Sequence, residues 1–163
     1  MPEFTSFASV SLRAITPEDA DFLLVLYKSS RGDDLRGLGW DEERISEFLD
    51  MQYEAQQRFH TSEYKKPVDQ IVLRGDEAVG RITFEPREHE IRCVDLALLP
   101  QYRNNGIGTR LIRELQTEAK KQKKPLRLQV IRFSRAVSLF ERLRFQRISE
   151  TGTHFQMEWA PDE

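Results

Sequence analysis

Between Glu90 and Ala119 three local patterns follow one another without a break. An apolar run, EIRCVDLALL, stops at Pro100; QYRNNGIGTR places Gly106 and Gly108 at the junction; Ile107, Leu111, Leu115 and Ala119 then recur every four residues. The first pattern is that of a strand and the last that of one face of a helix. Glycine at such a junction allows a tight turn and leaves the main chain uncovered. The first N–H groups of a helix have no internal partner and lie at the positive end of its dipole, so the junction forms an anion site with phosphate as the natural guest. Two nucleotide motifs are excluded. GxxxxGK[ST] is absent, and GxGxxG fails because Leu111 stands at its third glycine. R-x-x-G-x-G, Arg103 to Gly108, is what remains.

The rest of the chain supplies partners for this unit. SLRAI alternates as a strand, and Thr16, Pro17 and Asp19 form a helix start. RGDDLRGLGW, with three glycines, is expected to break the helix that follows. From Asp41 a longer helix carries Ile45, Phe48, Leu49, Gln52, Ala55, Gln56 and Phe59 near one face. QIVLR and AVGRITF are expected to form two strands about a turn at Gly75 to Glu77. PLRLQVI alternates as another strand, Ser134 opens a short helix with Ala136, Leu139, Phe140 and Leu143 on one face, and FQRISETGTHFQMEW forms a hairpin near Gly152. The expected fold is mixed α/β: a central twisted mixed sheet of about seven strands flanked by four helices. The order is strand, two helices, three strands, helix, strand, helix, two strands. No repeat or linker divides the chain, so residues 1–163 are expected to form a single domain.

Composition narrows the partners. A net charge of -2 with 32% charged residues of mixed sign leaves no nucleic-acid footprint and no polybasic membrane arm. The longest aliphatic block, FLLVLY, is too short to span a bilayer. A single cysteine fits a reducing compartment, and MPEFTSFASV lacks the basic start and apolar run of a secretory leader, so a cytoplasmic location is expected. His60, His89 and His154 have no metal-ligand spacing, and no metal is expected. Cys93, in an apolar strand without a histidine partner, is expected to be a core residue rather than a nucleophile.

The stretch from Asp95 to Phe145 resembles the GNAT superfamily of N-acetyltransferases, which carry [QR]-x-x-G-x-[GA] between their fourth strand and third helix. SRAVSLFERLRF resembles the family's N-x-x-A-x-x-L-Y-x-x-x-G-F helix, and the order of elements from Leu12 to Trp159 fits as well. The resemblance implies transfer of an acetyl group from acetyl-CoA to an amine. It implies that the amides of Asn104, Asn105, Gly106, Ile107, Gly108 and Thr109 receive the pyrophosphate, with Arg103 reinforcing that site. Leu96, Ala97 and Leu98 would lie along the pantetheine arm, with an amide near Leu98 facing the thioester oxygen. Ser134 stands where the family has asparagine; it is counted with the cofactor-binding residues and is expected to cap the helix it opens. Phe140 stands where the family often has a tyrosine acid, and Arg144 where it has glycine, in a left-handed helix end that costs a side-chain-bearing residue about 1 kcal/mol. A non-catalytic acetyl-CoA sensor is the alternative that Phe140 keeps open.

An amine nucleophile must lose a proton before attack. Asp95, which interrupts CVDLALL, is the leading candidate base, with Glu85 and His89 as fallbacks. Strand alternation places Asp95 and Leu98 on opposite parity unless a bulge intervenes. Gln52 and Gln56 are candidate acceptor-site residues, or else amides bonding to loop backbone. Lys120, Lys121, Lys123 and Lys124 meet either the cofactor's 3'-phosphate or simply their own helix dipole. Asp33, Asp34, Asp41, Glu42 and Glu43 would attract a cationic amine and would equally stabilise a helix start. Phe155, Met157 and Trp159 leave both a monomer and a homodimer open.

Overall fold

A computed structural model describes residues 10–132 and 134–162. The segment on which the leader reading rests lies outside them, as do the side chains of Asp33 and Asp34. The chain runs β1 (Val10–Ala14), α1 (Ala20–Gly37), α2 (Glu42–Glu63), β2 (Val68–Arg74), β3 (Glu77–Pro86), β4 (Ile91–Leu98), α3 (Ile107–Gln122), β5 (Leu126–Ile131), α4 (Ala136–Arg142), β6 (Gln146–Glu150) and β7 (His154–Trp159). Single 3-10 turns at Pro17–Asp19 and Pro100–Tyr102 precede α1 and follow β4. The seven strands form one sheet in the order β1-β2-β3-β4-β5-β7-β6. It is mixed: β1 pairs antiparallel with β2 and β7 with both neighbours, whereas β4 and β5 run parallel through Ile91↔Leu126, Arg92↔Arg127 and Cys93↔Leu128. The expected order of strands and helices is the observed one.

The described residues divide into two compact units, one up to Ile82 together with Leu96–Arg103, the other Thr83–Asp95 together with the described residues from Asn104 onward. In the first, Leu23 and Leu26 of α1, Ile45 and Leu49 of α2, and Ile71, Val72, Val79 and Ile82 of β2 and β3 are buried. Tyr27 of α1 packs on Tyr53 of α2 with ring centroids 5.1 Å apart, and Lys28 pairs with Asp50 at 2.8 Å. Asp19 fixes the entry into α1. Its carboxylate accepts from the Thr16 N–H at 2.8 Å and from the Arg13 guanidinium at 2.8 and 2.9 Å. The Arg13 hydrogen bond, with that from Thr16, holds the acid below the usual carboxylate range.

In this unit one expectation is sharpened and one corrected. The break expected in RGDDLRGLGW falls at the far end of that stretch: α1 continues through Gly32 and ends at Gly37, and the chain turns over Leu38 to Trp40. Intrinsic propensity against glycine amounts to only about 1 kcal/mol, which the tertiary packing of a long helix overrides. The buried face of α2 holds at Ile45 and Leu49, but Gln52, Ala55 and Phe59 depart from it. Phe59 is exposed, and neither Gln52 nor Gln56 is buried. The helix outruns the core it packs on.

In the second unit α3 buries Ile107, Leu111, Ile112, Leu115 and Ala119, and β5 buries Leu126, Leu128 and Val130, as their periodicities predict. Val137, Phe140 and Leu143 of the α4 segment join Phe145, Phe155 and Met157 in the same interior. Phe140 and Phe145 meet edge to face at 5.4 Å. Gln116 of α3 donates its side-chain amide to the Leu143 carbonyl at 2.9 Å, tying the end of α4 to α3.

Candidate functional site

The start of α3 is the most open donor array of the predicted site. Gly106 occupies its N-cap position with φ +82, a left-handed conformation that favours glycine, and no side chain caps the amides beyond it. Asn104 is also left-handed at φ +64, as asparagine tolerates best among side-chain-bearing residues. The first intrahelical bond runs from the Arg110 N–H to the Gly106 carbonyl at 3.0 Å, so the N–H groups of Ile107, Gly108 and Thr109 precede the helical ladder. Ile107 is 3% exposed and anchors this turn from below, while Asn104 and Asn105 are exposed. No acid stands in the first turn.

The second element lies where β3 meets the end of β4, and sequence reasoning missed its key residue. A Cβ at Gly80 would run into the Ala97 carbonyl oxygen and would lie 2.6 Å from Leu98 Cδ2, so only glycine allows the two strands to approach this closely. The available signal was a glycine inside the apolar strand pattern AVGRITF, which marks close backbone approach. Here the Leu99 N–H donates to the Val79 carbonyl at 2.9 Å. Since N–H and C=O groups alternate sides along a strand, the Leu98 amide and carbonyl face away from β3. The carbonyl is taken by Arg103 Nε at 3.0 Å, and Arg103 Nη2 reaches Ser30 Oγ at 3.5 Å. Arg103 thus straps the turn after β4 back onto the strand. Tyr102, hydrogen-bonded to Glu77, secures the same turn, and that bond raises its phenol pKa.

The candidate proton-handling groups differ in setting. Asp95 is half-buried, and alternation puts it on the face of β4 that carries Cys93 and Ala97. Burial first, then the field of Asp95, pushes the Cys93 thiol up to about 12, so the thiolate needed of a nucleophile is not formed near neutrality. Glu85 is 6% exposed and paired with Arg87 at 2.6 Å. His89 is almost fully exposed, 3.7 Å from Glu88. Gln52 is exposed and Gln56 half-buried on α2.

The remaining predicted positions lie on α4 and at the far end of α3. Ser134 Oγ accepts the Ala136 N–H at 3.1 Å in the turn that leads into α4, whose N-cap position is held by Arg135. Phe140 is buried and brings no hydroxyl. Arg144 takes φ +72, the left-handed position expected to cost about 1 kcal/mol for a side-chain-bearing residue. Lys120 and Lys121 occupy the last turn of α3, and Lys124 donates to the Arg87 carbonyl at 2.6 Å. Fourteen residues of helix separate Gly106 from Lys120, about 21 Å at 1.5 Å per residue, so these lysines stand at the opposite end from the open amides. Among the described residues no cluster of three or more His, Cys, Asp or Glu is placed to hold a metal, and no helix is long and apolar enough to cross a membrane.

Residues 68–147 match the family model described as an acetyltransferase (GNAT) domain. Among solved structures, the PaiA N-acetyltransferase of Thermoplasma acidophilum in complex with coenzyme A is similar to this chain with a TM-score of 0.71 at 21% identity, over 93% of this chain and 99% of that one. An acetyltransferase from Thermus thermophilus gives 0.67 at 16% identity, over 93% and 97%. The ribosomal-protein-S18-alanine N-acetyltransferase of Escherichia coli gives 0.62 at 15% identity, over 94% and 95%. At these identities the likeness is one of fold. No curated protein matches significantly by sequence.

Proposed function

We propose that this chain, whose residues 68–147 match the acetyltransferase (GNAT) domain model, is a GNAT-type acyltransferase and moves an acetyl group from acetyl-CoA to an amine by direct attack within a ternary complex, residues 1–163 acting as one domain. The observation that carries the reading is the uncapped start of α3 at Gly106. Three helical amides precede the ladder there, and among the described residues no side chain caps them. A pyrophosphate fits that chemistry, with the amides of Asn104, Asn105, Gly106, Ile107, Gly108 and Thr109 as donors. Leu96, Ala97 and Leu98 are assigned to the pantetheine arm. The Leu98 N–H, facing away from β3, is assigned to the thioester oxygen, where a preformed donor stabilises the oxyanion of the tetrahedral intermediate. Arg103 acts mainly by holding the carbonyl side of the Leu98 segment.

The chemistry needs a neutral amine, and Asp95 is assigned as the group that accepts its proton, directly or through water. Attack then forms the C–N bond, the C–S bond breaks, and CoA leaves as a thiolate. Phe140 supplies no proton to it. An alkyl thiol with a pKa near ~8.5 is a tolerable leaving group, and a general acid typically contributes about 10² to 10⁴ in rate, so turnover persists at reduced speed through water or the proton released by the amine. The acceptor is a small-molecule or peptide amine. Asp41, Glu42 and Glu43 at the start of α2 favour a cationic one.

The deciding experiment follows release of free thiol from acetyl-CoA over a panel of polyamines, aminoglycosides and lysine- or alanine-terminated peptides. Saturable turnover with one class supports the assignment. Acetyl-CoA binding without turnover on any amine would sink it. In a companion measurement Asp95→Asn is expected to flatten the acidic limb of the rate against pH, and an unchanged profile removes Asp95 as base.

A further inference from the structure

We infer that the second unit holds a separate binding site for a small polyanion, in a cavity of about 470 Å³ at the end of α4. Arg113 of α3, Arg142 and Arg144 line it together with Trp159, Glu158 and Asp162. Its volume lies within the range of small-molecule pockets. Arg113 and Gln116 stand seven and ten residues beyond Gly106 on α3, about 10 to 15 Å along the helix, so the cavity is not the open helix start described above.

The charge arrangement singles it out. Many arginines elsewhere are paired: Arg13 with Asp19, Arg36 with Glu42, Arg81 with Asp69, Arg92 with Glu90, Arg147 with Glu141. Arg113, Arg142 and Arg144 have no ion pair among the described residues. Glu158, one of the two acids in the lining, is committed to Arg127, accepting from its Nε at 2.6 Å. Asp162 is then the one acid of the lining left beside three arginines. Three like charges around one concavity repel one another and are relieved by a bound anion, and the planar guanidinium fork suits carboxylate and phosphate oxygens.

The backbone adds an independent observation. Arg144 is held at φ +72, a conformation in which glycine is favoured and a long side chain strained. Gln116 fixes the Leu143 carbonyl immediately before it, so the strained residue sits on a tethered backbone rather than at a loose end. The left-handed turn is the one that ends α4, with the Arg144 N–H on the Glu141 carbonyl and the Phe145 N–H on the Phe140 carbonyl, and it fixes where the Arg144 side chain departs beside the cavity. Trp159 gives the cavity an aromatic wall and an optical reporter. The ligand class is a small molecule with two or more phosphate or carboxylate groups.

The test uses the full chain with Trp40→Phe as background, so that Trp159 is the sole tryptophan, at about 0.15 M salt to suppress long-range attraction. Sodium tripolyphosphate and citrate are titrated separately, with fluorescence and calorimetry as readouts. Saturable binding of either one is expected, and the one preferred tells phosphate from carboxylate recognition. Arg142→Gln with Arg144→Gln should weaken it by about tenfold or more, the loss of charged hydrogen bonds. Gly108→Glu, which fills the α3 start and removes any polyphosphate bound there, should leave unchanged the binding that Trp159 fluorescence reports. Arg144→Gly, whose backbone suits the site, should raise the melting temperature of the free chain while weakening the same binding. No saturable binding of either probe, equal affinity in the arginine variants, or loss of the Trp159 response on Gly108→Glu would overturn the inference.

Discussion

Two helix starts in this chain answer the same physical problem in opposite ways. Both α2 and α3 begin with N–H groups that have no helical partner. At α2, Asp41 is extended (φ -77, ψ 165), its carboxylate accepts the Arg44 N–H at 2.8 Å, and Glu42 and Glu43 add negative charge to the first turn. At α3, Gly106 offers no side chain and the first turn no acid. One start is complete within the protein and the other leaves its donors outward. Stability alone would favour the first arrangement at both places, though over glycine by only about a few tenths of a kcal/mol. The uncapped start is therefore where binding is expected.

The comparison can be broken most forcefully by converting the second start into the first. Gly108→Glu places a carboxylate beside the α3 amides. The parent should gain about 2.7 kcal/mol with acetyl-CoA at 100 times its Kd, roughly 5 to 10 °C in melting temperature. The variant should keep its own melting temperature and lose that gain, together with turnover. A variant that folds and still shows the full shift would show that the amides do not hold the ligand.

A somewhat smaller loss is expected at the strand crossing. Gly80→Ala inserts a methyl group against the Ala97 carbonyl, and overpacking of this kind costs about 1 to 3 kcal/mol. Urea unfolding measures it. If stability drops while amine acetylation falls out of proportion, the crossing positions the Leu98 amide as well as the core. Asp41→Ala is the converse control: a cost of about 1 kcal/mol with the acetyl-CoA shift intact. A diminished shift there would mean that the two starts are not as separate in role as their chemistry indicates.

The last effect is confined to alkaline pH. Cys93 is raised to about 12 in the folded chain, so above the unfolded thiol's ~8.5 the folded state binds more protons and stability falls as pH climbs toward 12. Cys93→Ala should lack this component, and Asp95→Asn should lessen it by removing the carboxylate field. A pH profile identical in all three chains would place Asp95 away from Cys93 and weaken its assignment on that face of β4.

Legibility in the sequence followed the range of the interaction. The α3 stripe, the alternation of β5 and the start at Thr16 to Asp19 are rules spanning a few residues, and each appears where it was expected. Arg144 as a left-handed residue is of the same local kind. Gln52 and Phe59 were misplaced because periodicity predicts a face but not how far the opposing core extends along it. Where within RGDDLRGLGW the helix would end was not legible, because a weak propensity acts against the packing that opposes it.

The order of elements and the open start of α3 were thus settled by residue type alone, since both depend on backbone freedom and side-chain chemistry within one turn or one strand. Tertiary packing settled what Gly80 is for, which carbonyl Arg103 grips, and which arginines are left unpaired beside Trp159. Residues at those places meet across 17 or 18 positions of chain at Gly80 and 73 from Ser30 to Arg103. Such encounters are fixed by how faces pack, a property no local pattern encodes.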